Sequence, residues 1–315
     1  MKSNWTLESM GSQHGKRVLI TGANAGIGYQ TALEFARRGA SVILACRHQQ
    51  RGEEALDRIR AAVPGALAEL STLDLASLSS VREAAQRELA QEQPLHLLIN
   101  NAGVMAPPRR LQTEDGFELQ LGTNVLGHFL LTALLLPALE RAPQARVITV
   151  ASIAHKRGRI CFEDLQSASD YQPRPSYAQS KLANLLLALE LERRLRRLGS
   201  TVCSVACHPG VAATQLFRTG DYNALQKAIR LLVTYAIGLF LNSERQGALP
   251  TLFASVSEQA QGGGYYGPQG YLEMRGGDVG PAWISDQAQD PETARRLWSA
   301  CEELLGIRFL EEVAG

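Results

Sequence analysis

Residues 17–28 read Arg-Val-Leu-Ile-Thr-Gly-Ala-Asn-Ala-Gly-Ile-Gly: a short apolar run that breaks into a glycine-rich turn and then continues with helical spacing through Phe35 and Ala36. A continuous apolar run of this length, rather than an alternating one, is the pattern of a strand buried on both faces of a parallel sheet. Glycines between such a strand and a helix let the backbone approach a pyrophosphate, whose charge the helix N-terminus stabilises. Gly22, Asn24, Ala25, Gly26, Ile27 and Gly28 are therefore candidate cofactor contacts. The glycines alone would say little; the strand–turn–helix setting gives them weight.

Outward from that turn, strand candidates Arg17–Thr21, Ser41–Ala45, Ala68–Leu73, Leu95–Asn100, Arg146–Ala151 and Thr201–Cys207 alternate with helical stretches Ile27–Arg38, Gly52–Ala62, Leu78–Gln91, Gly116–Arg141 and Ser176–Leu198. Repeated strand–helix alternation predicts an α/β fold, a doubly wound parallel sheet with helices on both faces. With no repeat, low-complexity linker or composition shift, we read one domain over 15–315 behind a flexible tail at 1–14. After Pro209 the regularity fails. Residues 211–260 read as a helical insertion containing the apolar run Leu231–Leu241, expected to lie over the carboxyl ends of the strands as a substrate lid. A glycine-rich, hairpin-like segment Gly262–Gly270 and a last helix Pro291–Leu305 follow.

The 315 residues carry a formal net charge of +1 and are 45% hydrophobic, ample for a sizeable core. That balance argues against nucleic acid as the main partner, since phosphate-tracking proteins concentrate Lys and Arg. The most basic stretch, Arg193, Arg194, Arg196 and Arg197, reads as a solvated helix end that complements the helix dipole. The five cysteines, an odd number with no metal-ligand spacing, fit reduced thiols in a cytoplasmic protein. The polar N-terminal residues 1–16 lack the apolar core of a signal peptide or anchor. The runs Leu130–Leu136 and Leu231–Leu241 fall short of the roughly 20 residues of a membrane helix, so no stable membrane insertion is expected.

The end of the second strand bears on which nicotinamide cofactor is bound. A protein that binds NAD(H) usually places a carboxylate there for the ribose 2′-hydroxyl. Here the chain reads Cys46-Arg47-His48-Gln49-Gln50-Arg51, with no acid before Glu53. A guanidinium can clamp a 2′-phosphate that a carboxylate would repel, so Arg47 and Arg51 point to NADP(H) rather than NAD(H). Asp74 and Leu75, ending the third strand, are placed to cap the adenine edge. Asn101, Ala102 and Gly103, ending the fourth, would let the backbone pass close to the cofactor.

Tyr177 and Lys181, spaced i, i+4 on a helix, share a face. A free tyrosine, with a pKa of about 10, is a poor base near neutrality, and a nearby ammonium lowers that value. Ser152, just past the fifth strand, can donate a hydrogen bond to a substrate oxygen. His155 and His208 have no second ligand at metal spacing, so no metal site is expected. His128 and Phe129 read as core packing.

Taken together, these pieces resemble the short-chain dehydrogenase/reductase family. The shared features are Thr-Gly-x-x-x-Gly-x-Gly at 21–28, Asn-Asn-Ala-Gly at 100–103, Asn124, Ser152, Tyr177-x-x-x-Lys181 and His208-Pro209-Gly210. The resemblance implies a seven-stranded Rossmann-type sheet and a tetrad of Asn124, Ser152, Tyr177 and Lys181, with Asn124 holding a water that links the lysine to solvent. It also implies that Tyr177 and Lys181 touch the cofactor, with Pro209, Gly210 and Val211 beside the nicotinamide and Thr214 near its amide or the diphosphate. A narrower likeness, to the retinol-dehydrogenase-like branch, rests on Leu44–Arg47, Ser152–His155, Phe162–Leu165, Tyr177–Asn184 and Leu297-Trp298. It implies a lipophilic alcohol, aldehyde or ketone as substrate, and the chain departs from the branch's membrane-bound members in having no N-terminal hydrophobic anchor. Pairing of the two long apolar helices into a homodimer is the arrangement of many relatives, beside monomers. Binding of NADP without turnover, or reduction of a C=C bond, are the alternative activities that this fold allows.

Overall fold

The computed structural model describes residues 5–211 and 242–311. Thr214, the Leu231–Leu241 run and most of the expected lid lie outside them. The strands are β1 (Arg17–Thr21), β2 (Ser41–Cys46), β3 (Ala68–Thr72), β4 (Leu97–Asn100), β5 (Arg146–Val150), β6 (Cys203–Cys207), β7 (Tyr265–Pro268) and β8 (Val279–Pro281). They form one sheet in the order β3-β2-β1-β4-β5-β6-β7-β8. All neighbouring pairs are parallel except β7–β8, where Gly267 faces Gly280 in an antiparallel pairing. The eighth strand is the one that exceeds the expected seven. At three residues, ending in Pro281, it is too short to show a period and sits at the edge, where a proline costs no ladder bond.

Alternate residues of each strand feed two cores. Val18, Ile20, Val42, Leu44, Ile99, Ile148 and Val205 face helices α1 (Gly26–Arg37), α2 (Gln49–Ala62) and α6 (Glu244–Val256). Leu19, Ile43, Leu98, Val147 and Ala206 face α3 (Leu78–Leu89), α4 (Leu119–Glu140), α5 (Pro173–Arg197) and α7 (Pro291–Leu305). Burial on both faces accounts for the unbroken apolar runs. The order reverses between β1 and β4, so their carboxyl ends splay apart into the crevice where such sheets bind ligands.

Four expectations are corrected. Residues 5–14 are not a free tail: Trp5, Leu7 and Met10 are buried, and the Trp5 ring meets Phe253 of α6 edge-on at 5.5 Å. Three apolar side chains in a polar stretch suffice to fill the gap between α1 and α6. The segment 244–256 is no lid either. It is α6, started by a Ser243/Gln246 capping box and packed beside α1 in the core layer. The helix expected from Gly116 begins at Leu119, where Glu118 caps it by accepting from the amides of Gln120 and Leu121, and it contains a π-turn at Gly122–Leu126. This helix is long and apolar enough to cross a membrane, but 83% of its most apolar window is buried in the core. Finally, Arg194 is buried, bonded to Glu190 at 2.9 Å and stacked over Trp298 at 4.5 Å, so the basic stretch is partly an internal brace.

Candidate active site

The glycine-rich turn closes on the end of β4. Thr21 Oγ1 accepts from the amides of Asn101 and Ala102, both at 2.9 Å, and Asn101 Nδ2 donates to Thr21 O at 2.8 Å. Asn101 therefore acts first as a lock on the turn. Gly22 and Gly26 are left-handed, at φ 68° and 59°, and a Cβ on Gly28 would lie 2.5 Å from Gly22 O and from Asn101 Nδ2. Ala25, the N-cap of α1, offers no side-chain acceptor, and the first turn carries no acid. Backbone amides left uncapped, in a cradle that any Cβ would fill, fit an incoming pyrophosphate.

At the end of β2, Arg47 and Arg51 are exposed. The Arg47 Nε lies 3.8 Å from Asp74 Oδ2, across the mouth that an adenosine would enter. The other Asp74 oxygen accepts from the Ala76 amide at 2.9 Å, shaping the loop after β3. Leu75 is buried against α4, so close that a Cβ on Gly127 would stand 2.5 Å from its carbonyl.

The expected tetrad comes together below this cleft. Lys181 is buried on α5 and donates to Val150 O at 2.9 Å. Its Nζ is 5.9 Å from the Tyr177 ring centre, and a Cβ on Gly103 would be 3.7 Å away. The Ser152 side chain is the influence that works against burial at the Tyr177 hydroxyl. Ser152 caps the turn Ile153–Arg157, its Oγ accepting from the Ala154 amide at 3.1 Å. Burial pushes the Tyr177 hydroxyl up to about 12, against the pull of Ser152, and drops the Lys181 ammonium to about 8. In the protein's own field, burial is the largest influence on Tyr177.

Asn124 is fully buried inside the π-turn. Its Oδ1 accepts from Val104 N at 2.8 Å, while Nδ2 donates to Val104 O at 3.0 Å and to Ser180 Oγ at 2.9 Å. The side chain is thus occupied in holding the loop after β4 to α5, which leaves the backbone carbonyl as the group able to act.

On the far side, Pro209, Gly210 and Val211 are held from the β7–β8 connection. Val211 N donates to Met274 O at 2.8 Å, and Asn242 Nδ2 donates to Pro209 O at 3.1 Å. Glu273 anchors this connection. It accepts from Lys156 Nζ at 2.7 Å and from Trp283 N at 2.7 Å, and lies 3.6 Å from His208 Nε2. His155, buried one turn after Ser152, contacts Ser152 O at 2.8 Å and Tyr265 Oη at 3.3 Å. Among the described residues no group of three or more His, Cys, Asp or Glu could hold a metal ion. Sequence reasoning passed over Lys156, Asn242 and Glu273 and assigned His128 to packing. Lys156 and Glu273 stand 117 positions apart, a separation that leaves no local signal.

The family model for short chain dehydrogenase matches residues 16–223. The chain belongs to the short chain dehydrogenase family, a class of oxidoreductases. Within it the similarity runs to retinol dehydrogenases. Retinol dehydrogenase 12 of Mus musculus is 42% identical over 94% of this chain and 88% of its own length. Retinol dehydrogenase 13 of Homo sapiens is 43% identical over 93% and 85%. Among solved structures, an uncharacterised protein from Mycobacterium paratuberculosis superposes with a TM-score of 0.78, at 39% identity over 98% of this chain and 99% of that one. A gluconate 5-dehydrogenase from Beutenbergia cavernae, described as dependent on NAD(P) and solved with bound NADP, gives 0.56 at 26% identity over 78% and 93%.

Proposed function

We propose that the protein reduces a lipophilic aldehyde or ketone with NADPH, the reverse oxidation running through the same groups. The observation that carries this reading is the buried Lys181, one helical turn from Tyr177, held to the Val150 carbonyl and close to Gly103 and Asn124. The turn Gly22–Gly28 would hold the pyrophosphate, and Arg47, with Arg51 beside it, the 2′-phosphate. The bound cofactor supplies the hydride and, once oxidised, a positive ring beside the phenol. Ser152 and Tyr177 orient the carbonyl oxygen. As hydride reaches carbon, the Tyr177 proton would pass to that oxygen, and Lys181 would return a proton to the phenolate and be reprotonated from solvent by way of a water held by the Asn124 carbonyl.

The protonation states are compatible with the proposed reduction. A phenol held at about 12 is protonated at neutral pH, ready to act as an acid. A lysine held at about 8 sits close enough to neutrality to exchange its proton readily. The similarity to retinol dehydrogenases supports a lipophilic substrate, and the buried thiols Cys46, Cys207 and Cys301 accord with a reducing, cytoplasmic setting.

An NADPH-consumption screen with aldehydes and ketones of increasing chain length tests this reading. Turnover should rise with chain length, and Tyr177→Phe should lower kcat by about 1000-fold with NADPH affinity retained. A Tyr177→Phe enzyme as fast as the wild type would sink the mechanism.

A further inference from the structure

His128 belongs to no motif that the proposed chemistry uses, yet its ring, 5% exposed, bridges both halves of the cofactor cleft. Nε2 lies 2.9 Å from Thr21 Oγ1, and Nδ1 lies 3.1 Å from the carbonyl of Asn124. Counting hydrogen bonds fixes the tautomer. Thr21 Oγ1 already accepts from the amides of Asn101 and Ala102, which fills both lone pairs of a hydroxyl. It can then only donate, and His128 Nε2 at 2.9 Å is nearer than its other acceptor, Ile99 O at 3.3 Å. Nε2 is therefore the bare nitrogen, and Nδ1 carries the hydrogen that is given to Asn124 O.

The surroundings keep the ring in that state. Burial holds the imidazole down to about 4, and the charge of Lys181 opposes protonation further. The small chamber beside the ring is lined by the uncharged polar side chains of Asn100, Thr132, Thr149 and Asn184, with no carboxylate to stabilise a cation. A second ring proton would also confront a hydroxyl oxygen that has no lone pair free.

One hydrogen-bonded run thus passes from the amides at the end of β4, through Thr21 and His128, to the Asn124 carbonyl. Because the Asn124 side chain is fully engaged, that carbonyl is what it can offer to the proton relay behind Lys181. We propose that His128 is a positioning residue, whose Nδ1–H, fixed in that tautomer by Thr21, holds the Asn124 carbonyl in place so that reprotonation of the Tyr177–Lys181 pair stays aligned. This inference rests on the oxidoreductase reading above.

Three variants and one spectrum test it. In His128→Asn the amide nitrogen takes the place of Nδ1 and keeps the donor to Asn124, whereas His128→Gln and His128→Leu lose it. NADPH affinity, read by fluorescence titration, should stay within about 3-fold in all of them. His128→Leu and His128→Gln should lose about 10- to 100-fold in kcat, with the pH limb of kcat displaced by about one unit, and His128→Asn should recover most of both. A loss of packing alone would lower Tm without moving the limb. Nitrogen-15 imidazole shifts of the wild type should show the Nδ1–H tautomer, unchanged from about pH 5 to pH 9. An Nε2–H tautomer overturns the proposal, as does a Leu variant with unaltered kcat and limb, or an Asn variant as poor as Leu. Wild-type protein that turns over no carbonyl would instead overturn the oxidoreductase reading, and the role given to His128 with it.

Discussion

At the β1–β4 end of the sheet the site is made of backbone: two left-handed glycines, a third glycine with no room for a Cβ, and amides held by Thr21 and Asn101. At the β6–β8 end it is made of side chains from distant segments, with Glu273 drawing Lys156, His208 and the Trp283 amide to one carboxylate. The first arrangement tolerates no change of residue at its tight points but needs nothing from elsewhere in the chain. The second is strained as well as scattered. Leu272 and Glu273 are consecutive non-glycine residues at φ 49° and 59°, and each such residue costs on the order of 1 kcal/mol. Tyr271 and Leu272 are 73% and 67% exposed in this connection. The locally written turn, which on the proposed reading is the cofactor floor, and the long-range Glu273 cluster, which would back the wall on the substrate side, can therefore be perturbed separately.

The largest effect should come from filling the floor. In Gly28→Val the new side chain meets Gly22 O and Asn101 Nδ2 at the 2.5 Å where a Cβ would stand. Calorimetry should show NADPH binding weakened by more than about 100-fold, with a stability loss of roughly 1–3 kcal/mol from overpacking. The Glu273 latch, at the other end of the sheet, should be untouched. Binding within a few-fold of wild type would mean that the cradle is not where the pyrophosphate sits.

A smaller effect is expected at the rim of the same floor. Arg47 is 53% exposed and only 3.8 Å from Asp74, a pair that contributes little to stability. On the proposed reading it clamps a 2′-phosphate with two hydrogen bonds, and Arg47→Asp should cut the NADPH-over-NADH ratio of kcat/KM by about 30-fold. Tm should change little. An unchanged ratio would remove the basis for preferring NADP(H).

The contrast also accounts for what could be read from the sequence. The strand–turn–helix at 17–36, Asn-Asn-Ala-Gly and Tyr177/Lys181 are local patterns whose geometry follows from backbone sterics and helical spacing, so fold and chemistry were legible. The eighth strand was too short for a period, and α6 looked like part of an insertion because its capping signal at Ser243 follows so soon after an apolar run. Trp5 was hidden by polar neighbours. Nothing near Glu273 announces its partners, since Lys156 and His208 reach it only once β5, β6 and the β7–β8 connection lie side by side. His128 was set down as packing because its meaning lies in a lone-pair count at Thr21 Oγ1, which only coordinates supply.

The latch should give the smallest effect and the clearest separation of the two ends. Burial would raise the Glu273 carboxyl, but hydrogen bonds from Lys156 and the Trp283 amide, with the His208 ring 3.6 Å away, outweigh it and bring the group from 4.5 down to about 2. A carboxylate depressed on folding stabilises the protein fully above its unfolded value, and that contribution fades as pH falls from about 4.5 towards 2. Allowing for solvent screening of a group that is 19% exposed, the contribution comes to about 1–2 kcal/mol. Glu273→Gln keeps an acceptor for the Trp283 amide but loses the charge that holds Lys156. At neutral pH it should lower Tm by a few degrees, and the gap from wild type should close as pH falls below about 4.5. On the proposed reading the Glu273 cluster backs Pro209–Val211 beside the nicotinamide but lies at the other end of the sheet from the glycine turn, so KM for the carbonyl should rise by about 5-fold while NADPH affinity stays within about 2-fold. If NADPH affinity fell in step with KM, the floor and the wall would be one unit, and the division between them would fail.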